Sequence, residues 1–257
     1  MTTLTNPPLL EAIFEIRWGE RSPGDFKYSS EEHSLLPGMV TSEAIKRGFG
    51  VTESLEHTSG LGVMLPMQIN HRFRKSAKTW PCLQLGLGVF TVNQIADGYD
   101  WDIFRNDISE GFDIFRSVSP DALKNDRHDT TLILRYQDAF YPDEGMSAYQ
   151  YIEKYLNITV TLPSEYTSSE LLSSDLKDVH FRFNTSTVKP QGSISVSLVS
   201  AIINGHPGLL METVVESNAK KVLSEYSVET LLEWAETAHD LQRHAFTSLI
   251  NKSPYSQ

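Results

Sequence analysis

The chain has 257 residues, of which 40% are apolar and 10% aromatic, enough to bury a core, and this excludes intrinsic disorder. Its 22 basic residues stand against 33 acidic ones, a formal charge of -11, which repels phosphate backbones and anionic membrane surfaces and so disfavours a nucleic-acid partner. No window reaches the roughly 18 consecutive apolar residues that a spanning helix needs, and the length suits one large domain or two smaller ones.

The first periodic segment sets Leu10, Ala12, Phe14, Ile16 and Trp18 against Glu11, Ile13, Glu15 and Arg17, the alternation of a half-buried strand. Turn formers follow at Ser22-Pro23-Gly24-Asp25 and Pro37-Gly38, and a short helix is expected from Ser42 to Arg47, closed by Gly48 and Gly50. A second alternating run covers Met67 to Arg74. A third places Leu83, Leu85, Leu87 and Val89 on one face, so that Gly86-Leu87-Gly88 reads as strand glycines. Cys82, the single cysteine, sits in this apolar context and reads as packing. One thiol per chain permits no internal disulfide and fits a reducing, cytoplasmic compartment.

Asp100 is a candidate N-cap for a helix from Trp101 to Val118, in which Trp101, Phe104, Ile108, Phe112 and Phe115 recur at steps of three and four. Pro120 closes it. Thr130 to Phe140 returns to strand periodicity, and Met146 to Leu156 reads as a shorter helix. The composition then shifts to Ser, Thr, Pro and Glu over residues 163–178, which marks an internal boundary. It separates an N-terminal half, residues 1–162, from a C-terminal β-meander and helix, residues 179–257. The meander runs from Val179, from Ser193 to Ile203 and from Leu209 to Glu216, with a hairpin expected at Asn204-Gly205-His206-Pro207-Gly208. A final helix from Val228 to Ile250 carries Leu231, Ala235, Ala238, Leu241, Ala245 and Leu249 as its apolar stripe, with Trp234 beside it.

These elements give an α+β fold. Antiparallel strands come in two successive groups, each backed by a long amphipathic helix, in one continuous domain or two. Arg72-Phe73 and the strand after it echo Arg182-Phe183 and the strand after that, about 110 residues on, as a duplicated unit would.

The chain has no phosphate-binding loop, zinc-protease helix, serine-hydrolase elbow or kinase set. His239 and His244 lie five residues apart on the last helix, a poor spacing for a shared metal, and no metal or cofactor is expected. His239-Asp240 reads as a helix histidine at the edge of a packing face, and Arg127-His128-Asp129 as a polar turn. The candidate binding residues are on the polar sides of the strands: Glu11, Glu15 and Arg17, then Arg72 and Arg74, then Arg135, with Gln68, Asn70 and Gln137 among them. If those strands are neighbours, arginine forks there would pair with the glutamates or grip an anion.

The opening Asn6-Pro7-Pro8-Leu9-Leu10-Glu11-Ala12-Ile13-Phe14-Glu15-Ile16-Arg17-Trp18 resembles the N-terminal signature of a sporadically distributed bacterial family of about 250 residues whose function is uncharacterised. Leu85 to Asn93, Leu134-Arg135-Tyr136 and His239-Asp240 with Phe246 and Leu249 extend the resemblance, while Gln137 and Asp138 depart from the expected continuation. The family's patchy occurrence implies a mobile or defence-associated setting and supplies no catalytic residue. The sequence therefore points to a non-catalytic binding or accessory protein with a protein partner, or a second copy of itself. The alternative is an enzyme acting on a small anionic or nucleotide substrate, with Glu11 or Glu15 as acid/base and Arg17, Arg72 or Arg135 holding the anion.

Overall fold

A computed structural model describes residues 8–55, 66–119, 130–172 and 178–250. The first strand, β1 (Leu9–Arg17), runs into a small hairpin of β2 (Glu20–Ser22) and β3 (Asp25–Phe26) around Gly24, then into helices α1 (Ser30–Ser34) and α2 (Leu36–Lys46). Strands β4 (Val51–Ser54), β5 (Ile69–Arg74), β6 (Cys82–Gly86) and β7 (Val89–Ile95) lead to α3 (Trp101–Val118). Next come β8 (Thr131–Phe140), α4 (Ala148–Tyr155), α5 (Ser164–Thr167), β9 (His180–Thr187), β10 (Gly192–Ile203) and β11 (His206–Asn218), and the chain closes with α6 (Ala219–Val222) and α7 (Val228–Ile250).

All strands but β2 and β3 form one nine-stranded antiparallel sheet in the order β4-β5-β6-β7-β1-β8-β11-β10-β9. Strands β1 and β8 pair near its centre, with Phe14 opposite Leu134. On their other sides β7 flanks β1 and β11 flanks β8; α3 follows β7, and α6 and α7 follow β11. The two strand groups thus share one sheet.

One face of that sheet is the core. Phe14, Ile16, Phe90, Val92, Leu132 and Leu134 pack against Phe104, Ile108, Phe112 and Phe115 of α3 and Leu231, Trp234, Ala235 and Ala238 of α7. The side chain of Asp100 accepts from the backbone N–H groups of Asp102 and Ile103 and fixes the start of α3. Farther along, Phe140, Val196, Leu198 and Met211 meet Tyr151 and Ile152 of α4 and Phe246 and Ile250 of α7.

Several local expectations change. The run through Gly86-Leu87-Gly88 is a two-residue hairpin, since Gly86 pairs with Val89 and Gly88 takes φ +80 with the Tyr28 ring packed where a Cβ would stand. Alternating apolar residues on both sides of a tight turn look like one strand in sequence. Helix α2 begins at Leu36 instead of Ser42, because Pro37 sits in its first turn, where a missing N–H costs nothing. The second run starts pairing at Ile69, after Met67 at φ 60. The buried stripe of α7 turns away from Leu241, Ala245 and Leu249 to Gln242, Phe246 and Ile250, as steps of four drift round a helix of 3.6 residues per turn. The hairpin at Asn204-Gly205 forms with both residues at positive φ, the conformation these two residue types adopt most readily. Pro120, the turn at Arg127-His128-Asp129, residues 173–177 of the Ser-rich connection, and Asn6-Pro7 of the opening motif lie outside the described residues.

Candidate functional site

Strand alternation puts the polar residues of β1 on the sheet face away from α3 and α7, and the register carries the same face across its neighbours. Glu15 lies between Thr91 of β7 and Ile133 of β8, and Ile13 between Asn93 and Arg135. Glu15 is buried at 5% exposure, yet it is fully engaged. One carboxylate oxygen accepts from Nε of Arg17, and the other pairs with Arg135 at 3.5 Å. Arg135 reaches across to β11 as well, 2.8 Å from Glu212, whose same oxygen accepts from Gln137 at 3.1 Å. Burial pulls the Arg135 pKa down, and the bond and charge of Glu212, with Glu15 behind them, more than reverse this. Glu11 accepts from the side-chain amide of Asn93 at 2.7 Å.

Glu15, Arg17 and Arg135 are therefore brought together, with Glu11 on the same face four residues away along β1, and both arginines are engaged by the protein's own carboxylates. Arg72 and Arg74 share the face but sit on β5, beyond β7 and β6. Arg74 donates to the carbonyl of Thr79 at 2.6 Å, pairs with Glu53 at 3.4 Å and lies over the Trp80 ring. Arg72 pairs in register with Glu53 and Gln84. Between the two arginines and β1, Cys82 is fully buried, which pushes its thiol up to about 11, with Arg74 and Arg72 opposing.

A second polar group, on the core face, is harder to foresee. The Tyr136 hydroxyl lies 2.8 Å from that of Tyr99 and 3.0 Å from Nδ1 of His239, and the His239 ring stacks on Trp101 at 4.0 Å. Burial, with Arg243 adding and Asp240 opposing, lowers His239 to about 4, so it is neutral at pH 7. Asp138, two residues beyond Tyr136 on the same face, is 3% exposed, its Oδ2 has no hydrogen-bond partner, and burial raises it to about 7. An aspartate in the inward phase of a strand is the sequence signal for such a group.

A third feature is an open groove of about 1050 Å³ where β8 leaves the sheet and the β10–β11 hairpin turns back. The connection from Tyr141 to Ala148 forms one wall, and Ala201, Ile202, His206 and Pro207 form the other, with Asp178 at the rim. Ile202 is 71% and Tyr141 41% exposed. Asp143 accepts from the Tyr155 hydroxyl at 3.4 Å, whereas Glu144 and Asp178 have no partner among the described residues. Among the described residues the groove's lining includes no lysine or arginine.

Among the described residues no cluster of His, Cys, Asp or Glu is placed to hold a metal ion, and no helix is long and apolar enough to cross a membrane. No protein-family model, curated protein or solved structure matches the chain.

Proposed function

We propose that this protein is a non-catalytic binding or accessory protein that takes an extended, basic and apolar segment of a protein partner into the groove between Tyr141–Ala148 and Ile202–Gly208. The observation that carries the reading is the exposure of Tyr141 on one wall and Ile202 on the other, with the carboxylates of Glu144 and Asp178 unpartnered among the described residues. A segment laying an aliphatic or aromatic side chain on Ile202, with Lys or Arg beside those carboxylates, would remove apolar area from water and pair charge at the rim. The overall charge of -11 draws such a segment in. A bacterial, defence-associated or toxin-neutralising setting and a cytoplasmic location belong to the same proposal, supported by the likeness of the opening motif to the sporadically distributed family.

The enzyme alternative, with Glu11 or Glu15 as acid/base and Arg17, Arg72 or Arg135 as anion grip, has weaker support. A substrate anion would have to displace Glu15 and Glu212 from Arg135, leaving buried carboxylates uncompensated.

Titration with a peptide of about ten residues alternating Lys with Leu or Phe tests the proposal. Saturable binding is expected, with Kd rising by about tenfold or more, roughly 1.4 kcal/mol, in Ile202→Ser and in the double variant Glu144→Gln, Asp178→Asn. Equal binding of the same peptide with Glu in place of Lys, or no response to these variants, would overturn it.

A further inference from the structure

The sheet ends in two unlike edges. On one side it closes with β4, a strand of four residues, and short edges resist pairing with another chain. On the other it closes with β9, eight residues that hold an unbroken register with β10 from His180 to Thr187, and no described strand joins β9 on its far side. His180 and the run from Arg182 to Ser186 are exposed. Alternate residues of such a strand aim both backbone N–H and C=O away from the sheet, a template for one more antiparallel strand.

The devices that commonly guard an edge are missing from β9. It contains no proline, lysine or bulge. Its one arginine, Arg182, donates to the Ser195 hydroxyl of β10 at 3.1 Å, so that charge leans inward over its own sheet. Phe181 and Phe183 stand on the helical face, opposite Leu198 and Val196. Phe181 packs against the core there, whereas Phe183 stays 42% exposed. From Val179 to Val188 there is no acidic residue, in a chain whose formal charge is -11. Two copies can therefore meet along this edge without setting carboxylates against one another.

We infer that β9 pairs antiparallel with β9 of a second copy of this chain, about a two-fold axis normal to the sheet, with Phe183 opposite the partner's Phe183. An axis of that kind keeps the helical faces of both sheets on one side and sets residues of like phase opposite each other. Arg182 then faces the partner's Asn184, Phe181 the partner's Thr185 and His180 the partner's Ser186. The neighbouring register in one direction would set Arg182 against the partner's Arg182, a like-charge pair that destabilises. The neighbouring register in the other direction would set Asn184 against the partner's Asn184 and leave each Phe183 ring beside a threonine. The register with Phe183 on the axis joins the two exposed rings and opposes no like charges, and this self-complementarity favours a second copy over an unrelated strand. The edge shares no residue with the groove of the preceding section.

Analytical ultracentrifugation of the full chain over about 5–500 μM tests the inference. One strand pair is a small interface, so a reversible monomer–dimer equilibrium with a Kd of about 10–100 μM is expected. Phe183→Lys sets like charges across the axis and is expected to weaken the dimer by about tenfold or more, with the melting temperature of the dilute monomer showing that the fold is kept. Phe183→Cys supplies a second readout that needs no loss of binding. Mild oxidation is expected to link two copies through residue 183, because facing side chains in an antiparallel pair lie within disulfide reach, while Ser186→Cys, which faces His180 of the partner subunit, is expected to stay unlinked. Cys82 is buried and takes no part. A monomer throughout the concentration range, a dimer that Phe183→Lys leaves unchanged, or equal linking of Phe183→Cys and Ser186→Cys would overturn the inference. The peptide titration of the groove reads out independently of each of these results.

Discussion

Tyr136 of β8 holds its hydroxyl 3.0 Å from Nδ1 of His239 on α7, so the strand beside the sheet's central β1 and the longest described helix are joined by a polar contact inside an otherwise apolar layer. Tyr99 extends the contact at 2.8 Å, and Asp138 lies beside it as a buried carboxyl with an unpaired oxygen.

The two titratable groups here act on stability in opposite directions. Asp138 is raised to about 7 from its ordinary 3.8 by burial. Between those values the folded chain keeps a proton that the unfolded chain has released, so stability falls as pH rises. His239 is lowered to about 4 from 6.5, by burial first. Between those values the unfolded chain gains a proton that the folded chain refuses, so stability falls as pH drops. From about pH 4 to 6.5 the slopes offset one another. Asp138→Asn is expected to uncover the His239 slope, losing about 3 kcal/mol on acidification from pH 6.5 to 4, and His239→Gln the opposite slope of similar size. Denaturant unfolding at a series of pH values checks this, and tilts of the same sign in both variants would contradict it.

Within the ionic face the arginines are unequal. Arg135, with a side chain 19% exposed, serves both Glu15 and Glu212, while Arg17 is 39% exposed and serves Glu15 alone. Arg135→Met is expected to cost about 2–4 kcal/mol because it leaves a buried carboxylate under-compensated, and Arg17→Met less than about 1 kcal/mol because solvent screens it. Chemical denaturation of the two variants, compared with Arg135→Met in a Glu15→Gln background, measures the difference; a smaller loss for Arg135→Met than for Arg17→Met would refute the ranking.

Gly111 lets α3 lie close on the sheet. A Cβ there would stand 2.5 Å from Cγ2 of Val92 and 3.1 Å from Cδ2 of Leu83. Alanine gains up to about 1 kcal/mol of helix propensity, but overpacking against a stiff, β-branched neighbour costs about 1–3 kcal/mol. Gly111→Ala is expected to lower the melting temperature, and a rise would show that the layer yields.

How much of this could be read in the sequence follows from what periodicity encodes. Phe14, Ile16, Leu132 and Leu134 declared their inward phase, and Trp101 to Phe115 their helical stripe, because alternation and steps of three and four map onto burial directly. The pairing of β1 with β8 is a long-range choice that local pattern leaves open, and it decides that Glu15 meets Arg135, while Arg72 and Arg74 stay on β5 with β6 and β7 between them and β1. Asp138 follows the same alternation, but a carboxylate in the inward phase reads as a break in the pattern until Tyr136 and His239 stand beside it. The groove comes from where a loop and a hairpin turn meet at the edge of the sheet, and composition has no bearing on that.

Cys82 offers a check on the packing reading. Its thiol is buried and raised to about 11, by burial first, so little thiolate is present at pH 7. Labelling by a thiol reagent is expected to proceed at the rate of unfolding or opening and to accelerate with denaturant. Fast, stoichiometric labelling of the native protein would mean that the face around β6 is open.

The most direct test of the binding proposal is amide hydrogen exchange with and without the saturating Lys/Leu peptide. Protection confined to residues 141–148 and 200–208, and lost in the Glu144→Gln, Asp178→Asn double variant, is the predicted result. Protection centred on Glu11 to Arg17 and Arg135, or none anywhere, would contradict it.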